Sequence, residues 1–189
     1  MRLIGITGRA RSGKSTLAHY LTQQHGFDEL TFASPIKTML EALLMPFDVD
    51  ARWFEDQALK GTPIPGLGKT PRQLMQTLGT EWGRDLVHPD LWTMRADRLL
   101  AQTRESSFMP AVVFSDVRFS NEADWIHAQG GEVWHIWRAQ GELRDAHRSE
   151  SGPAGHDVDE VIENFGTLGD LYQRADALLA RPVRAHVRL

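Results

Sequence analysis

The first apolar positions, Leu3, Ile4 and Ile6, form a nearly continuous run rather than an alternating one, and residues 2 to 7 read as a strand buried on both faces. That strand breaks into Gly8-Arg9-Ala10-Arg11-Ser12-Gly13-Lys14-Ser15-Thr16, and from Lys14 to about residue 24 the pattern turns helical. His19 and Gln23 to His25 lie on the polar side, and Gly26 supplies the stop. Glu29 to Ala33 reads as a second, short strand, so the chain opens with the βαβ unit of a parallel sheet. Ser34 as cap and Pro35 at the first helical position predict an amphipathic helix over Ile36 to Leu44.

Between Pro46 and Lys69 the periodicity is lost, and Gly61, Pro63, Pro65, Gly66 and Gly68 crowd together; a mobile loop is expected. A helix follows over Pro71 to Val87, with Thr70 as cap. Its Leu74, Leu78, Trp82 and Leu86 step by four and predict a core-facing stripe, while Arg72, Gln76, Gly79 and Gly83 share another face. Two helical glycines cost roughly 1 kcal/mol each against alanine, so something approaches that face closely. A neighbouring helix would account for the glycines alone; the arginine and glutamine beside them point to a ligand surface. Pro89 to Gln102 reads as a further helix. Trp82 and Trp92 have rings able to stack on a base, with core packing expected for Trp82.

Ala111 to Asp116 has the pattern of a buried parallel strand that delivers a carboxylate to its C-terminal edge. A helix from Asn121-Glu122 to Gln129, stopped by Gly130-Gly131, leads into a strand over Glu132 to Trp137. Arg138, Arg144, His147, Arg148 and Glu150 then occupy a polar connection that reaches Gly155. Such a loop is either a solvated charged surface or a lid that closes over phosphates. Glu160 to Glu163 is the last strand, Asn164 to Thr167 a turn, and Leu168 to Leu179 the closing helix.

Composition narrows the chemistry. Hydrophobic residues are 41% and charged residues 24% of 189, ordinary values for one globular domain. No apolar run approaches the ~20 residues of a membrane span, and the N-terminus enters a strand without a signal-peptide apolar region, so no membrane partner and a cytoplasmic location are expected. A net charge of −4 argues against coating nucleic acid. Zero cysteines exclude disulfides and thiolate chemistry, leaving a metal to oxygen or histidine ligands.

Gly8 through Thr16 fits Gly-x-x-x-x-Gly-Lys-Ser between a strand and a helix, the context a P-loop requires. Gly8 and Gly13 let the backbone of Arg9, Ala10, Arg11 and Ser12 curl around phosphate oxygens; Lys14 adds charge, and Ser15 presents a hydroxyl to Mg²⁺. Asp116, at a strand end where ligands bind in open α/β sheets, is a second candidate for Mg²⁺; the cap of the next helix is the alternative. The expected fold is therefore α/β: a P-loop three-layer fold with a parallel sheet. Its core would be residues 1–33, 105–138 and 156–189, with a helical substrate-binding insertion over 34–104 and a lid over 139–155. A nucleoside monophosphate carries an ionised phosphate near neutral pH, so a small phosphoryl-transfer enzyme of this plan needs no dedicated base.

Six blocks stand out in order: Thr7-Gly8 through Thr16, Phe32-Ala33-Ser34-Pro35 with Lys37, Leu78-Gly79-Thr80-Glu81-Trp82-Gly83-Arg84, Pro89-Asp90-Leu91-Trp92, Asp116-Val117-Arg118 with Asn121-Glu122, and His147 with Ser149-Glu150. These blocks are similar to the landmarks of the bacteriophage-type deoxynucleoside monophosphate kinases. The resemblance spans nearly the whole chain. It implies transfer of the γ-phosphate of ATP, with Mg²⁺, to a deoxynucleoside 5′-monophosphate. It further implies that Lys37, Arg72, Gln76, Gly83, Arg84, Trp92 and Arg118 bind the acceptor. Lys14, Arg118, Arg138, Arg144 and Arg148 would supply catalytic charge, and Asn164 belongs to the turn that borders adenine. A homodimer stays open, as do two rival functions: a dephospho-coenzyme A kinase-like enzyme and a non-kinase P-loop accessory protein.

Overall fold

The computed structural model describes residues 2–106, 111–138, 147, 149 and 152–182. The chain divides into two compact units, Met1–Thr31 with Ala96–Leu189, and Phe32–Arg95.

The first unit is built on five parallel strands: β1 (Arg2–Thr7), β2 (Asp28–Leu30), β3 (Ala111–Phe114), β4 (Glu132–Trp137) and β5 (Glu160–Glu163), in the order β2-β3-β1-β4-β5. The buried run read from the sequence thus becomes the central strand, and its C-terminal end opens at the middle of the sheet edge. On one face, Ile4, Ile6, Trp134, Ile136 and Ile162 pack against Leu17 and Leu21 of α1 (Lys14–His25), and against Leu171, Ala175 and Leu178 of α7 (Leu168–Leu179). On the other, Gly5 leaves room for Val117 and for Ile126 of α6 (Ser120–Ala128). Arg2 closes the unit: its guanidinium donates to the carbonyl oxygens of Leu178 (3.0 Å), which also accepts from the Arg181 N–H, and Leu179, at the end of α7.

Two strands are shorter than expected. β2 spans Asp28–Leu30 rather than Glu29 to Ala33, because β3 offers ladder partners only to Phe114, and the last bond runs from Ser115 N–H to the Leu30 carbonyl. Ser115 and Asp116 accordingly lie in a turn beyond β3.

The second unit holds α2 (Ser34–Leu44), α3 (Arg52–Glu55) and α4 (Pro71–Gln76), then an eleven-residue π-helix (Thr77–Val87) and the start of α5 (Leu91–Ser106). Ser34 is inside α2 instead of capping it; the cap position is Ala33, already helical in φ and ψ. Thr70 caps α4 as expected, in a reciprocal box with Gln73. The stretch expected as a loop is more organised than its glycines and prolines suggest. Val49, Phe54 and Ile64 are buried in it, and Gly66 and Gly68, both at positive φ, fold the chain back so that Ile64 N–H meets the Lys69 carbonyl at 2.9 Å.

The apolar stripe of 71–87 is overturned. Trp82 is 40% and Leu86 79% exposed, while Gly79, Thr80, Gly83 and Arg84 are the buried positions. The π-helix closes with His88 N–H on the Gly83 carbonyl, five residues back, and a wheel drawn for 3.6 residues per turn loses its phase over such a segment. Among the described residues no helix is long and apolar enough to cross a membrane.

Candidate functional site

The loop after β1 has the backbone a phosphate cradle needs. Gly8 (φ 139°), Arg11 (φ 64°) and Gly13 (φ 112°) all take positive φ, which turns the chain back on itself before α1 begins. A side chain at Gly8 would lie 2.5 Å from the Ile136 carbonyl oxygen, and one at Gly13 2.6 Å from the Asn164 amide, so both positions demand glycine on space as well as φ. Lys14 folds over the loop and donates to the carbonyl oxygens of Gly8 (2.6 Å) and Arg9 (2.8 Å). Ser15 is exposed, and Arg9, Ala10 and Arg11 face solvent. Among the described residues the Ser12 hydroxyl is buried without a hydrogen-bond partner, as is that of Thr7. Unmet buried hydroxyls in a glycine-walled anion nest fit a phosphate-bearing ligand.

Asn164 ties the far side of the loop to the sheet. Its amide donates to the Ser12 carbonyl at 2.8 Å, and its backbone N–H to the Trp137 carbonyl, also at 2.8 Å. On either side of this clamp stand two half-exposed rings, Trp137 and Phe165, edge to face with centroids 4.7 Å apart. His135 pairs in register with Thr7 beside the loop. Burial pushes its imidazole below the usual histidine range, and the charges of Lys14 and Arg9 push it the same way.

Across β1 from these residues, the turn after β3 carries Asp116 and Arg118. The cap of α6 is Phe119, not Asp116, which removes the capping alternative for that carboxylate. The Arg118 guanidinium donates to the Ser149 carbonyl at 3.4 Å, and Ser149 is in turn held by the His147 ring through its hydroxyl (2.8 Å). Arg138 is exposed just past β4; Arg144, Arg148 and Glu150 lie outside the described residues.

A family model for deoxynucleotide monophosphate kinases matches residues 69–175, which takes in the π-helix, the Asp116 turn and β4. The chain is 33% identical over 183 residues to a protein of Acanthamoeba polyphaga mimivirus provisionally named a deoxynucleotide monophosphate kinase, covering 92% of this chain and 94% of that one. The chain belongs to the deoxynucleotide monophosphate kinase family. It is also 29% identical over 110 residues to the deoxynucleoside-5′-monophosphate kinase of Escherichia phage T5, a match that spans 54% of this chain and 42% of the phage protein. A solved structure from Thermus thermophilus, 21% identical, superposes over 95% of this chain and 96% of its own with a TM-score of 0.53, a likeness of fold.

In the second unit of this kinase, the residues expected at the acceptor divide into two groups. Lys37 pairs with Glu55 at 2.6 Å, Arg72 reaches the Gln57 side chain at 3.5 Å, and Gln76 is half-buried on the next turn. Gly83, Arg84 and Trp92 are instead packed inside the unit. Trp92 is 5% exposed and donates its indole N–H to the Gly79 carbonyl at 2.7 Å, so its ring is not open to a base. Gly83 lies under that ring, where a side chain would come 2.6 Å from Cζ2. Arg84, 8% exposed, donates to the Pro89 carbonyl at 3.1 Å. The close approach inferred from the two glycines is made by Trp92 and, at Gly79, by Ile36.

Sequence reasoning missed Glu55, His135 and Trp137; it named Glu122 only as part of a family block and Phe165 only as part of the turn over Asn164 to Thr167. Alternation along β4 marks His135 and Trp137 as sharing a face.

Proposed function

We propose that the chain transfers the γ-phosphoryl group of ATP to the phosphate of a deoxynucleoside 5′-monophosphate, giving ADP and the deoxynucleoside diphosphate. The observation that carries this reading is a P-loop with Lys14 across its mouth, in a chain whose residues 69–175 match the deoxynucleotide monophosphate kinase model.

An oxygen of the acceptor phosphate forms the new bond to the γ-phosphorus in line with the bond that breaks, and the electron pair of that bond leaves on ADP. The acceptor phosphate is largely dianionic at neutral pH, so no side chain has to remove a proton first. The chain's work is to hold and neutralise. Lys14 exchanges the Gly8 and Arg9 carbonyls for β- and γ-phosphate oxygens, and backbone N–H groups of Arg9 to Lys14 line the phosphates, with Ser12 offering its buried hydroxyl and Thr16 adding to the loop's rim. The edge-to-face pair of Trp137 and Phe165 beside Asn164 suits the donor base, since base–aromatic stacking is worth roughly 1–3 kcal/mol. Ser15 and Asp116 are the oxygen donors suited to Mg²⁺, which when bound supplies charge to the phosphate oxygens. Lys37, Arg72 and Gln76 hold the acceptor, and Arg118 and Arg138, with Arg144 and Arg148, contribute charge to the transferred group.

The test is release of ADP from ATP and Mg²⁺, followed with a panel of deoxynucleoside and ribonucleoside monophosphates and dephospho-coenzyme A. ADP release that depends on a deoxynucleoside monophosphate is expected. Release without any acceptor, or with dephospho-coenzyme A alone, overturns the proposal.

A further inference from the structure

We propose that Glu122 is a positioning residue for phosphoryl transfer: its buried carboxylate sets the peptide that aims Arg118. The inference rests on the kinase reading above and assigns a role to a side chain that touches neither substrate.

Glu122 is 2% exposed, among the most buried charged residues of the chain. One of its oxygens, Oε2, accepts two backbone N–H groups, that of Phe119 at 3.1 Å and that of Arg118 at 2.7 Å. Burying a carboxylate is costly unless donors are aimed at it. Ordinary capping explains only half of what is found. In a capping box the side chain at the third helical position returns to the N–H of the cap residue, here Phe119. The second and shorter bond goes one residue further out, to Arg118, which is not part of α6.

That extra bond falls in a segment fixed at both ends. Val117, 1% exposed, donates its N–H to the Ile6 carbonyl of β1 at 3.1 Å, just before the P-loop. Ser115 N–H is held by the Leu30 carbonyl of β2. Between these anchors and α6, the Arg118 peptide is oriented by Glu122, and the Arg118 side chain then reaches the Ser149 carbonyl beyond β4. A tilt of this one peptide therefore moves the Arg118 guanidinium, while Asp116 keeps its place between the anchored Ser115 and Val117. Displacement of a positioned group by about 1 Å is enough to cost on the order of 10²-fold in rate.

Three variants separate positioning from capping. Glu122→Gln keeps an acceptor oxygen at the same reach; Glu122→Asp keeps the charge and withdraws the oxygen by one methylene; Glu122→Ala removes both. The readouts are kcat, the Mg²⁺ concentration for half-maximal rate, ATP affinity without acceptor, and amide exchange at Arg118 and Phe119. Expected are a kcat lowered roughly 10- to 100-fold with an unchanged Mg²⁺ requirement in the Ala and Asp variants, ATP affinity within about threefold, faster exchange at both amides, and near-normal values for Gln. If the Ala variant does not fold, Gln against Asp decides: an active Gln and an impaired Asp support the proposal, and the reverse overturns it. Lowered melting with unchanged kcat overturns it too, leaving a cap alone, as do wild-type amides at 118 and 119 that exchange like open ones. Absence of acceptor-dependent turnover in the wild type is a different result, and defeats the kinase reading itself.

Discussion

Lys14 spends its charge on two carbonyl oxygens of its own loop, those of Gly8 and Arg9, and takes no part in core packing. Lys14→Ala is therefore expected to lower kcat by on the order of 10²-fold or more, the scale of a lost donor to developing charge, with little change in melting. Undiminished turnover would remove the P-loop from the mechanism. His135 shows the same loop's electrostatics in a different way. Its folded-state pKa is depressed by burial first, then by Lys14 and Arg9, whereas an unfolded chain returns it to about 6.5. Below that value the unfolded state binds the extra proton, so stability should be level above about pH 6.5 and fall as the pH drops toward the folded-state pKa. The difference in melting between wild type and His135→Gln, followed from about pH 8 to about pH 5, should show that slope in the wild type and lose it in the variant. Equal slopes would mean that other groups carry the acid sensitivity.

At the scale of elements, the π-helix decides what its glycines do. Gly83 lies beneath Trp92, whose ring is anchored by its bond to the Gly79 carbonyl and cannot slide away. Gly83→Ala should gain about 1 kcal/mol in helix propensity and lose more to overpacking against the ring, for a net loss of about 1–2 kcal/mol in denaturant unfolding. Gly79→Ala should be milder, since its neighbour is the mobile end of Ile36, 2.8 Å from the added carbon. A stabilised Gly83→Ala protein would refute this packing. Where β4 and β5 end, Trp137→Ala and Phe165→Ala are expected to raise the KM for ATP by roughly 5- to 100-fold each while leaving that for the acceptor alone, the scale of one lost stacking contact. An unchanged KM for ATP in both variants would move the donor base elsewhere.

Across the molecule, the first and last elements of the sheet unit meet through one side chain. Arg2 opens β1 and satisfies the closing carbonyls of α7, 176 and 177 residues away. Arg2→Ala should lower stability by about 1–3 kcal/mol without altering either KM, since it removes the side-chain donor to Leu179 and leaves Leu178 with backbone N–H donors alone, far from the P-loop. The reach of that contact marks the boundary of what sequence alone determined. Signals confined to neighbouring residues were legible: the buried run of β1, the two glycines of the loop, Thr70 with Pro71, the apolar run ending near Asp116, and Gly26 after α1. Each rests on backbone geometry or periodicity that a few consecutive residues impose. The ends of β2 and β3 were not, because a strand stops where its partner's ladder stops. Nor was the inward face of residues 71–87. A π-helix shifts the phase of every position along it, and only the arrival of Trp92 and Ile36 from elsewhere in the chain gives Gly79 and Gly83 their use. Glu122 read as a helix opener; that its oxygen also holds the Arg118 peptide follows from the path of the turn, which β1 and β2 fix from outside.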